Sequence, residues 1–475
     1  KRRASVPMAN LRAVSAGLAS LALAAAAPEQ VHVAIADETS FAVSFFTAEE
    51  CSQPVVQYTV DGETRTSQAS SVQYLEDAGY HHHAKITGLS SGSSYTYRVG
   101  DLDADVDGCG ASGEYTLRTP HDSTQRSLDF MIFGDLGSRK NGNGDSTMDY
   151  LNKVQDDIEL VWHAGDVSYA DDAFLHPGCV LHFCYETVWN DFMNEMAEVG
   201  MTTLPWMVTP GNHEADCHDP ACLARGLYRK SLQNFTAYNA RFRMPSEETQ
   251  GTLNMHYSFN AGPAHFLSLD LETGYPGAAE ETRYVLPCGG FGDQVAWIEA
   301  DLAAANASRA ERPWIFVAGH HPMYNAGTRN TAMADAIEEL LYKYNVDAMF
   351  TGHVHSYERD YPVYQGVTES TSYTGIRSPV HILVGGAGND EMRDDQRRRL
   401  NEDKYGVKDP SPAHEQDERA YSRTEDTSWV AVQDKGYFGV GMVHIHNDTH
   451  MHFEYVRTTA QEVMDEVWII KDHNV

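Results

Sequence analysis

Hydrophobic and polar residues alternate along short segments in the first quarter of the chain. Turn-forming stretches such as Asp61-Gly62 and Gly88–Gly92 separate these segments. Enrichment in β-branched and aromatic residues predicts strands at Val31–Ala36, Phe41–Phe46, Val55–Thr59, Tyr95–Val99 and Glu114–Arg118. Strands at this spacing predict an all-β sandwich, which we place at residues 28–120.

From residue 127 the pattern changes to short apolar runs that alternate with amphipathic helices. Helices are predicted at Thr331–Tyr344 and Asp293–Ala305, where apolar residues recur at helical spacing. The apolar runs lie at 128–133, 160–162, 206–208, 266–269, 314–317, 348–350 and 380–384, and strand alternation returns at 437–443 and 452–456. This alternation predicts an α/β domain over residues 127–475. The charge-rich stretch 390–428 has no periodicity, and we interpret it as a surface loop.

The N-terminal segment has the features of a targeting sequence. Basic residues precede an apolar, alanine-rich run from Val14 to Ala27. The run is shorter than the roughly 20 residues that span a bilayer, so we predict a signal peptide over residues 1–27. We expect a secreted, extracellular or vacuolar protein with no membrane attachment after signal cleavage.

Cysteines and glycosylation sequons agree with that compartment. The chain has seven cysteines without zinc-finger spacing, which favours disulfides after a signal peptide. Cys51 and Cys109 can staple the sandwich, whereas the pairing among Cys179, Cys184, Cys217, Cys222 and Cys288 stays open. The odd count leaves one thiol free or bonded to another chain. Sequons at Asn234, Asn306 and Asn447 predict N-glycosylation.

The net charge restricts the class of partner. With 35 Lys and Arg against 68 Asp and Glu, the chain carries −33 at pH 7. This charge repels nucleic acids and anionic membranes, so we expect neither as a partner. Small phosphorylated substrates remain compatible, provided that a cation lies in the site.

Five apolar runs end in a glycine next to a metal-ligand type of residue. These endings supply Asp135, Asp166, Asn212, His320, His353 and His355, with Tyr169 three residues after Asp166. Ligands in α/β proteins gather at the carboxyl ends of strands, so we expect these side chains to converge. Carboxylate, imidazole and amide donors suit iron, manganese or zinc. The set is too large for one tetrahedral ion and predicts two metals that share a carboxylate.

The ordered motifs resemble the metallophosphoesterase family. They read GDLG at 134–137, GDVSY at 165–169, GNHE at 211–214, VAGH at 317–320 and GHVH at 352–355. The GDxxY form resembles purple acid phosphatases in particular, and the resemblance extends to 79–100, 385–389 and 437–468. It implies a metallophosphoesterase-like β-sandwich flanked by helices, preceded by a fibronectin-III-like sandwich.

The resemblance implies a role for each donor. Fe(III) is expected on Asp135, Asp166, Tyr169 and His355, and a divalent Zn, Mn or Fe ion on Asp166, Asn212, His320 and His353, with Asp166 as the bridge. The implied reaction is hydrolysis of phosphate monoesters at acid pH by a metal-bound hydroxide. His213 is the candidate for contact with the phosphate or the leaving group.

One position departs from the plant pattern. Plant members carry a histidine pair nine and ten residues beyond the VxxH histidine, where this chain has Arg329 and Asn330. The plant assignment of an acid catalyst therefore does not transfer directly. Arg329 is a candidate for binding the substrate phosphate, with a solvated loop arginine as the alternative.

Several function hypotheses stay open. A phosphodiesterase, a nucleotide diphosphatase or a phytase would use the same metal centre. A non-catalytic binding protein would require a broken ligand set, and none of the seven predicted ligands is missing. The N-terminal sandwich is expected to serve as a scaffold or to support a homodimer.

Overall fold

A computed structural model describes residues 27–102, 109–140, 142–175, 179, 183–217, 222, 231–278, 290–392, 421–423 and 427–472. The N-terminal part is a sandwich of two four-stranded antiparallel sheets, ordered β1-β2-β6-β5 and β4-β3-β7-β8. Its strands are β1 Glu29–Asp37, β2 Ser40–Thr47, β3 Val55–Val60, β4 Glu63–Gln68, β5 Ser70–Val72, β6 Tyr80–Thr87, β7 Ser94–Gly100 and β8 Tyr115–Arg118. The predicted all-β fold is confirmed.

Strand β6 was missed because its pattern is not hydrophobic. It contains His81, His82 and His83, and two of the three imidazoles are buried. Burial of His82 is tolerated because its ring has polar partners, the hydroxyls of Thr47 and Ser71, each at 2.8 Å. A histidine that is neutral and hydrogen-bonded packs as an aromatic ring, which a hydrophobic pattern does not reveal.

The second part contains two large mixed sheets. Their orders are β13-β11-β9-β26-β27-β28 and β14-β15-β16-β19-β23-β20-β25. The strands are β9 Leu128–Phe133, β11 Leu160–His163, β13 Trp206–Val208, β14 Tyr257–Ala261, β15 Ala264–Ser268, β16 Trp314–Ala318, β19 Ala348–Thr351, β20 Ser356–Asp360, β23 Val380–Val384, β25 Val430–Lys435, β26 Gly439–Ile445, β27 His450–Arg457 and β28 Glu462–Ile470. Every strand predicted in this part is present, with small shifts at its ends.

Short strands complete the second part. They are β10 Leu136–Gly137, β12 Val167–Ser168, β17 Tyr324–Asn325, β18 Thr328–Asn330, β21 Val363–Tyr364, β22 Val367–Thr368 and β24 Tyr421–Arg423. Strand β24 pairs with β18 and lies within the predicted loop 390–428, most of which is outside the described residues.

Helices flank the sheets. They are α1 Asp145–Val154, α2 Tyr185–Met196, α3 Thr236–Arg241, α4 Ser246–Thr249, α5 Gln294–Ala307, α6 Thr331–Met333 and α7 Glu339–Lys343. A π-helical turn at Ala334–Glu338 joins the last two. Both predicted helices are confirmed, and Asp293 caps α5 through its carboxylate. Across the described ranges, no helix is long and apolar enough to cross a membrane.

The two large sheets face each other through an aromatic core. The ring of Phe130 on β9 lies 5.3 Å from Phe266 and 6.5 Å from Phe350 of the opposite sheet. Strands β9, β11 and β13 are parallel to one another, as are β15, β16, β19 and β23. The loops that follow these strands therefore meet at one edge of the core.

Three disulfides lie within the described residues. Cys51 bonds to Cys109 in the N-terminal sandwich, as the sequence suggested. The pairing that the sequence left open is Cys179 with Cys184 and Cys217 with Cys222. Cys288 lies outside the described residues.

Candidate metal centre

All seven predicted ligands lie in the loops that follow the parallel strands or directly beside those loops. Glycines make this convergence possible, because the backbone approaches the donors closely. A Cβ atom on Gly211 would collide with Oδ1 of Asp166, and one on Gly352 would collide with Oδ2 of Asp135. Asp135, Asp166, Tyr169 and His353 themselves have positive φ angles of 66°, 55°, 56° and 70°. The site thus holds four predicted ligand residues in a conformation that costs free energy.

The first group of donors surrounds the phenol of Tyr169. Its hydroxyl lies 3.2 Å from Oδ1 of Asp135, 3.3 Å from Oδ2 of Asp166 and 3.0 Å from Nε2 of His355. Nε2 of His355 is in turn 3.3 Å from Oδ1 of Asp135. These four side chains are the predicted Fe(III) set, and their donor atoms share one small volume.

The second group lies on the other side of Asp166. Its Oδ2 is 2.8 Å from Nε2 of His320, and that nitrogen is 3.2 Å from Oδ1 of Asn212. The same amide oxygen lies 2.9 Å from Nδ1 of His353. Asp166 therefore contacts both groups, which is the position expected of a bridging carboxylate.

In the chain alone, the buried carboxylate of Asp166 is paired with protonated imidazoles. Burial would raise the pKa of Asp166, but the imidazoles of His320 and His213 outweigh it and hold this pKa below its ordinary value. Burial alone would lower the pKa of His320, yet the Asp166 carboxylate raises it to about 10. Burial and the neighbouring rings of His321 and His320 lower the pKa of His353 well below its ordinary value, so this ring is neutral.

The donor set fits two metal ions. Asp135 and Asp166 are both essentially inaccessible to solvent. Within the described ranges, their recorded contacts are with imidazoles, the phenol and backbone N–H groups, and none is with a lysine or arginine. The donor atoms of Asp135, Asp166 and His355, and those of Asp166, His320 and His353, lie within 4.8 Å of one another in each set. Two buried carboxylates that are balanced only by protonated imidazoles, with no lysine or arginine beside them in the described ranges, suit positively charged metal ions.

His213 lies against the first group. Its ring centroid is 4.2 Å from that of Tyr169, and its Nε2 is 3.9 Å from Oδ2 of Asp166. Nδ1 lies 2.9 Å from both carboxylate oxygens of Asp171, which fixes the orientation of the ring. Burial alone would lower the pKa of His213, but Asp171 and Asp166 raise it well above its ordinary value. In the chain alone this imidazole is a cation.

Arg329 and Asn330 have structural partners. An Arg329 guanidinium nitrogen donates to Glu338 at 2.5 Å, and Nε donates to the hydroxyl of Tyr324 at 3.2 Å. Oδ1 of Asn330 accepts from the backbone of Met333 and caps the helix there. A contact of Arg329 with phosphate would require this ion pair to open, and that role stays a prediction.

Two buried residues that connect the motifs received no role from sequence reasoning. Glu214 accepts from the backbone N–H groups of Asp166, Val167 and Gly211, and so joins the loops after β11 and β13. Asn389 donates from Nδ2 to the hydroxyl of Tyr169 at 3.0 Å. Two sequence features could have indicated these residues: Glu214 is the last residue of the GNHE motif, and Asn389 directly follows a glycine-rich run.

The other predicted positions lie away from the centre or beside it. Asn234, Asn306 and Asn447 are exposed, as glycosylation requires, and their modification stays a prediction. His321 directly follows the predicted ligand His320; its Nε2 lies 3.0 Å from Oε2 of Glu272, and its ring contacts that of His353.

Comparisons with known proteins agree with the fold and the donor set. Family models match at 128–357 (calcineurin-like phosphoesterase), at 28–119 (purple acid phosphatase, N-terminal domain) and at 412–466 (iron/zinc purple acid phosphatase-like protein C). Purple acid phosphatase 18 of Arabidopsis thaliana is 30% identical over 456 residues, which is 93% of this chain and 84% of the relative. Acid phosphatase A of Cryphonectria parasitica is 30% identical over 417 residues, 77% of this chain and 81% of the relative.

A solved structure supports the same architecture. The purple acid phosphatase from yellow lupin (Lupinus luteus) seeds superimposes with a TM-score of 0.69 at 19% identity, covering 94% of this chain and 75% of that one. Fold and donor set together define a metallophosphoesterase with a dinuclear metal centre. Within that class, the chain belongs to the purple acid phosphatase family and is an acid phosphatase that acts on small phosphorylated substrates.

Proposed function

We propose that the chain hydrolyses phosphate monoesters with one Fe(III) and one divalent ion, Zn, Mn or Fe. Fe(III) would be held by Asp135, Asp166, Tyr169 and His355, and the divalent ion by Asp166, Asn212, His320 and His353. The observation that carries this proposal is the position of the Tyr169 hydroxyl, within 3.3 Å of a donor atom of each other member of the Fe(III) set. A phenolate is the donor in this set that favours ferric iron.

The chain by itself keeps the phenol protonated. Burial and the carboxylates of Asp135 and Asp166 raise the pKa of Tyr169 well above its ordinary value. Loss of that proton therefore requires a strong local cation. Metal binding would also displace the protons that His320 and His355 carry in the chain alone, since ligating imidazoles are neutral.

Two bound cations would lower the pKa of a coordinated water and neutralise phosphate oxygens. The chain's own contribution is orientation and proton supply. Asp171 holds Nδ1 of His213, so Nε2 is the atom on the side of the metal centre. We propose that Nε2 donates a hydrogen bond to a phosphate oxygen or to the leaving oxygen, which develops negative charge as its bond to phosphorus breaks.

The test is a visible absorption spectrum of the purified protein and of Tyr169→Phe, with metal content determined on both. We expect a broad band in the middle of the visible range that disappears in Tyr169→Phe, because the band requires tyrosinate on Fe(III). A colourless, fully metallated wild type that still cleaves a monoester would remove Tyr169 from the ligand set. It would leave the metallophosphoesterase assignment intact.

Substrate preference needs a separate comparison. Rates on p-nitrophenyl phosphate, bis-p-nitrophenyl phosphate, ATP and phytate would distinguish the monoesterase from the diesterase, nucleotide diphosphatase and phytase alternatives. We propose the monoester as the preferred substrate. A higher kcat/KM on the diester would contradict this choice without affecting the metal assignment.

We also propose the division into a signal peptide at 1–27, a sandwich at 28–120 and a catalytic domain at 127–475, with export from the cell and N-glycosylation at the three sequons. The exposure of Asn234, Asn306 and Asn447 supports the last point. Secretion by a eukaryotic host and a mass shift on deglycosylation would test export and glycosylation. Light scattering would test the predicted homodimer.

A further inference from the structure

The outer face of the C-terminal strands carries a second cluster of metal-ligand side chains. Imidazoles of His444 on β26 and His452 on β27 are directly opposite each other in the antiparallel register. Glu454 on β27 is likewise opposite Glu466 on β28. The cluster, His444, His452, Glu454 and Glu466, thus spans three neighbouring strands.

The distances within the cluster are those of a loose coordination shell. Nε2 of His452 lies 3.0 Å from Oε2 of Glu466, and its Nδ1 lies 3.9 Å from Oε1 of Glu454. Nε2 of His444 lies 3.7 Å from Oε2 of Glu454. Neighbouring ligand atoms around a tetrahedral zinc ion lie about 3.3 Å apart, given bond lengths near 2.0 Å. The donor atoms of His452, Glu454 and Glu466 lie within 4.8 Å of one another, so small side-chain movements bring them toward this spacing, with one nitrogen of His452 as the ligand. Nε2 of His444 adjoins this set through Glu454.

The charges in the cluster also favour a cation. Like charges that are directly opposite on neighbouring strands are unfavourable, as Glu454 and Glu466 are here. Among the described residues, the ion pairs recorded for these two carboxylates are with His444 and His452, and none is with a lysine or arginine. A divalent ion bound between the two carboxylates would offset their negative charges.

Neighbouring groups preorganise the two rings. Trp468 stacks on His452 with centroids 4.6 Å apart and planes at 17°. The carboxylate of Asp129 lies 2.6 Å from Nδ1 of His444, which leaves Nε2 directed toward Glu454. A carboxylate bonded to the second nitrogen of an imidazole is the arrangement that orients histidine ligands in metal sites.

The cluster is separate from the catalytic centre. Asp129 pairs with His444 near the start of β9, whereas Asp135 follows the end of that strand. Six residues of extended chain correspond to about 20 Å. A metal in the cluster therefore binds without touching the predicted catalytic ligands.

We propose that His444, His452, Glu454 and Glu466 form a further site for a divalent transition metal of the zinc class. Imidazole and carboxylate donors suit zinc and its neighbours in the first transition row. A metal there links β26, β27 and β28, the last three strands of the six-stranded sheet. Its effect is to stabilise this edge of the catalytic domain rather than to take part in hydrolysis.

The test is zinc binding to the full-length holoenzyme, with its catalytic metals in place, by equilibrium dialysis at pH 7.5, since imidazoles bind metal ions in their neutral form. We expect the wild type to bind one more zinc per chain than His452→Gln. The apparent affinity for that ion should fall at least about tenfold, the loss seen even when an outer partner of a metal ligand is removed. His450→Gln is the matched control, because His450 lies on the same strand but outside the cluster.

Two further readouts separate binding from folding. Zinc should raise the midpoint of thermal unfolding by about 2 °C or more in the wild type and in His450→Gln, and not in His452→Gln. Glu466→Gln, whose side chain is 64% exposed, should behave as His452→Gln does and provides a variant with little risk to folding. All variants should retain wild-type hydrolysis of p-nitrophenyl phosphate. Equal zinc content and equal thermal shifts in the wild type, His452→Gln and Glu466→Gln would overturn the proposal.

Discussion

Two buried polar clusters of this molecule balance their charge in opposite ways. One is the metal centre, where the carboxylates of Asp135 and Asp166 contact no lysine or arginine in the described part of the chain. The other surrounds Arg241, at the contact between the N-terminal sandwich and the catalytic domain. Asp135, Asp166 and Arg241 are all buried, but among the described residues only the second cluster contains an arginine or a lysine.

In the Arg241 cluster, the chain itself supplies the hydrogen-bond acceptors and the counter-charge of the guanidinium. The guanidinium donates to Glu186 at 2.7 Å and twice to the hydroxyl of Tyr74, at 3.1 and 2.9 Å. It also donates to Gln30 and Asn190, at 3.1 and 3.0 Å. Tyr74 and Gln30 belong to the sandwich, whereas Glu186 and Asn190 lie on α2, so one side chain joins the two parts of the molecule.

The comparison teaches how to distinguish a structural cluster from a functional one. Arg241 finds its counter-charge and its hydrogen-bond acceptors within the chain, which is the usual condition for burying a charge. The metal centre holds two carboxylates in strained backbone conformations and is balanced only by protons on its histidines. Such an arrangement is explained by ligands that come from outside the chain.

The largest effect on activity is expected from removing a carboxylate of the metal centre. Asp166→Asn should lower kcat/KM on p-nitrophenyl phosphate by more than about a thousandfold, because both metals lose a shared ligand. Metal analysis should show fewer than two ions per chain. Asp301→Asn, at a carboxylate bonded to Ser258 and His265, should leave both quantities unchanged. Full metal content in Asp166→Asn would contradict the bridging role.

Removing the cation of the Arg241 cluster should lower the free energy of unfolding. Arg241→Met leaves Glu186 buried without its cation and should lower the free energy of unfolding by about 3–5 kcal/mol. Metal content should stay at the wild-type value. Arg243→Met, on a partly exposed neighbour that pairs with Glu248, should cost less than about 1 kcal/mol. Equal losses in the two variants would show that the Arg241 cluster is not special.

A smaller effect is expected from the residue that orients His213. Asp171→Asn should reduce kcat/KM by about 10- to 100-fold with metal content unchanged, since the imidazole loses the partner of Nδ1. Asp172→Asn is the matched control, because its carboxylate lies farther from the same nitrogen, at 3.7 Å. A greater loss in Asp172→Asn than in Asp171→Asn would contradict the assignment.

The smallest effect concerns pH at the contact between the two parts. Burial lowers the pKa of His83 from 6.5 to about 4, although the backbone carbonyl of Ala240 opposes this. The neutral ring therefore contributes stability that is present above pH 6.5 and is lost as the pH falls toward 4. The loss is about 1.4 kcal/mol per pH unit for one such proton.

Unfolding in urea between pH 7 and pH 5 would measure this contribution. His83→Gln cannot take up the proton, and it should show a shallower dependence of unfolding free energy on pH than the wild type. His32 and His82, whose pKa values burial also lowers to about 4, should keep part of the slope. Identical slopes would indicate that His83 is protonated without cost in the folded state.

Much of the fold was predictable because it depends on local patterns. Strands β9 and β23 match the predicted runs residue for residue, and helix α5 begins one residue after Asp293, the predicted start of that helix. Strand β6 was missed because its buried His82 is stabilised by hydroxyls that lie outside the strand, on Thr47 and Ser71. Helices α1 and α2 were missed as well, although both bury one face.

For the metal centre, local sequence specifies which donor types follow which strands. Glycine and a ligand residue at five strand ends are enough to indicate a dinuclear site, because parallel strands bring their carboxyl ends together. Packing between distant segments sets which donors share a volume. It also lets Asp171 orient His213, Glu214 and Asn389 support the loops, and Arg329 pair with Glu338. These relations join residues far apart in the chain, and a one-dimensional pattern carries no distance between them.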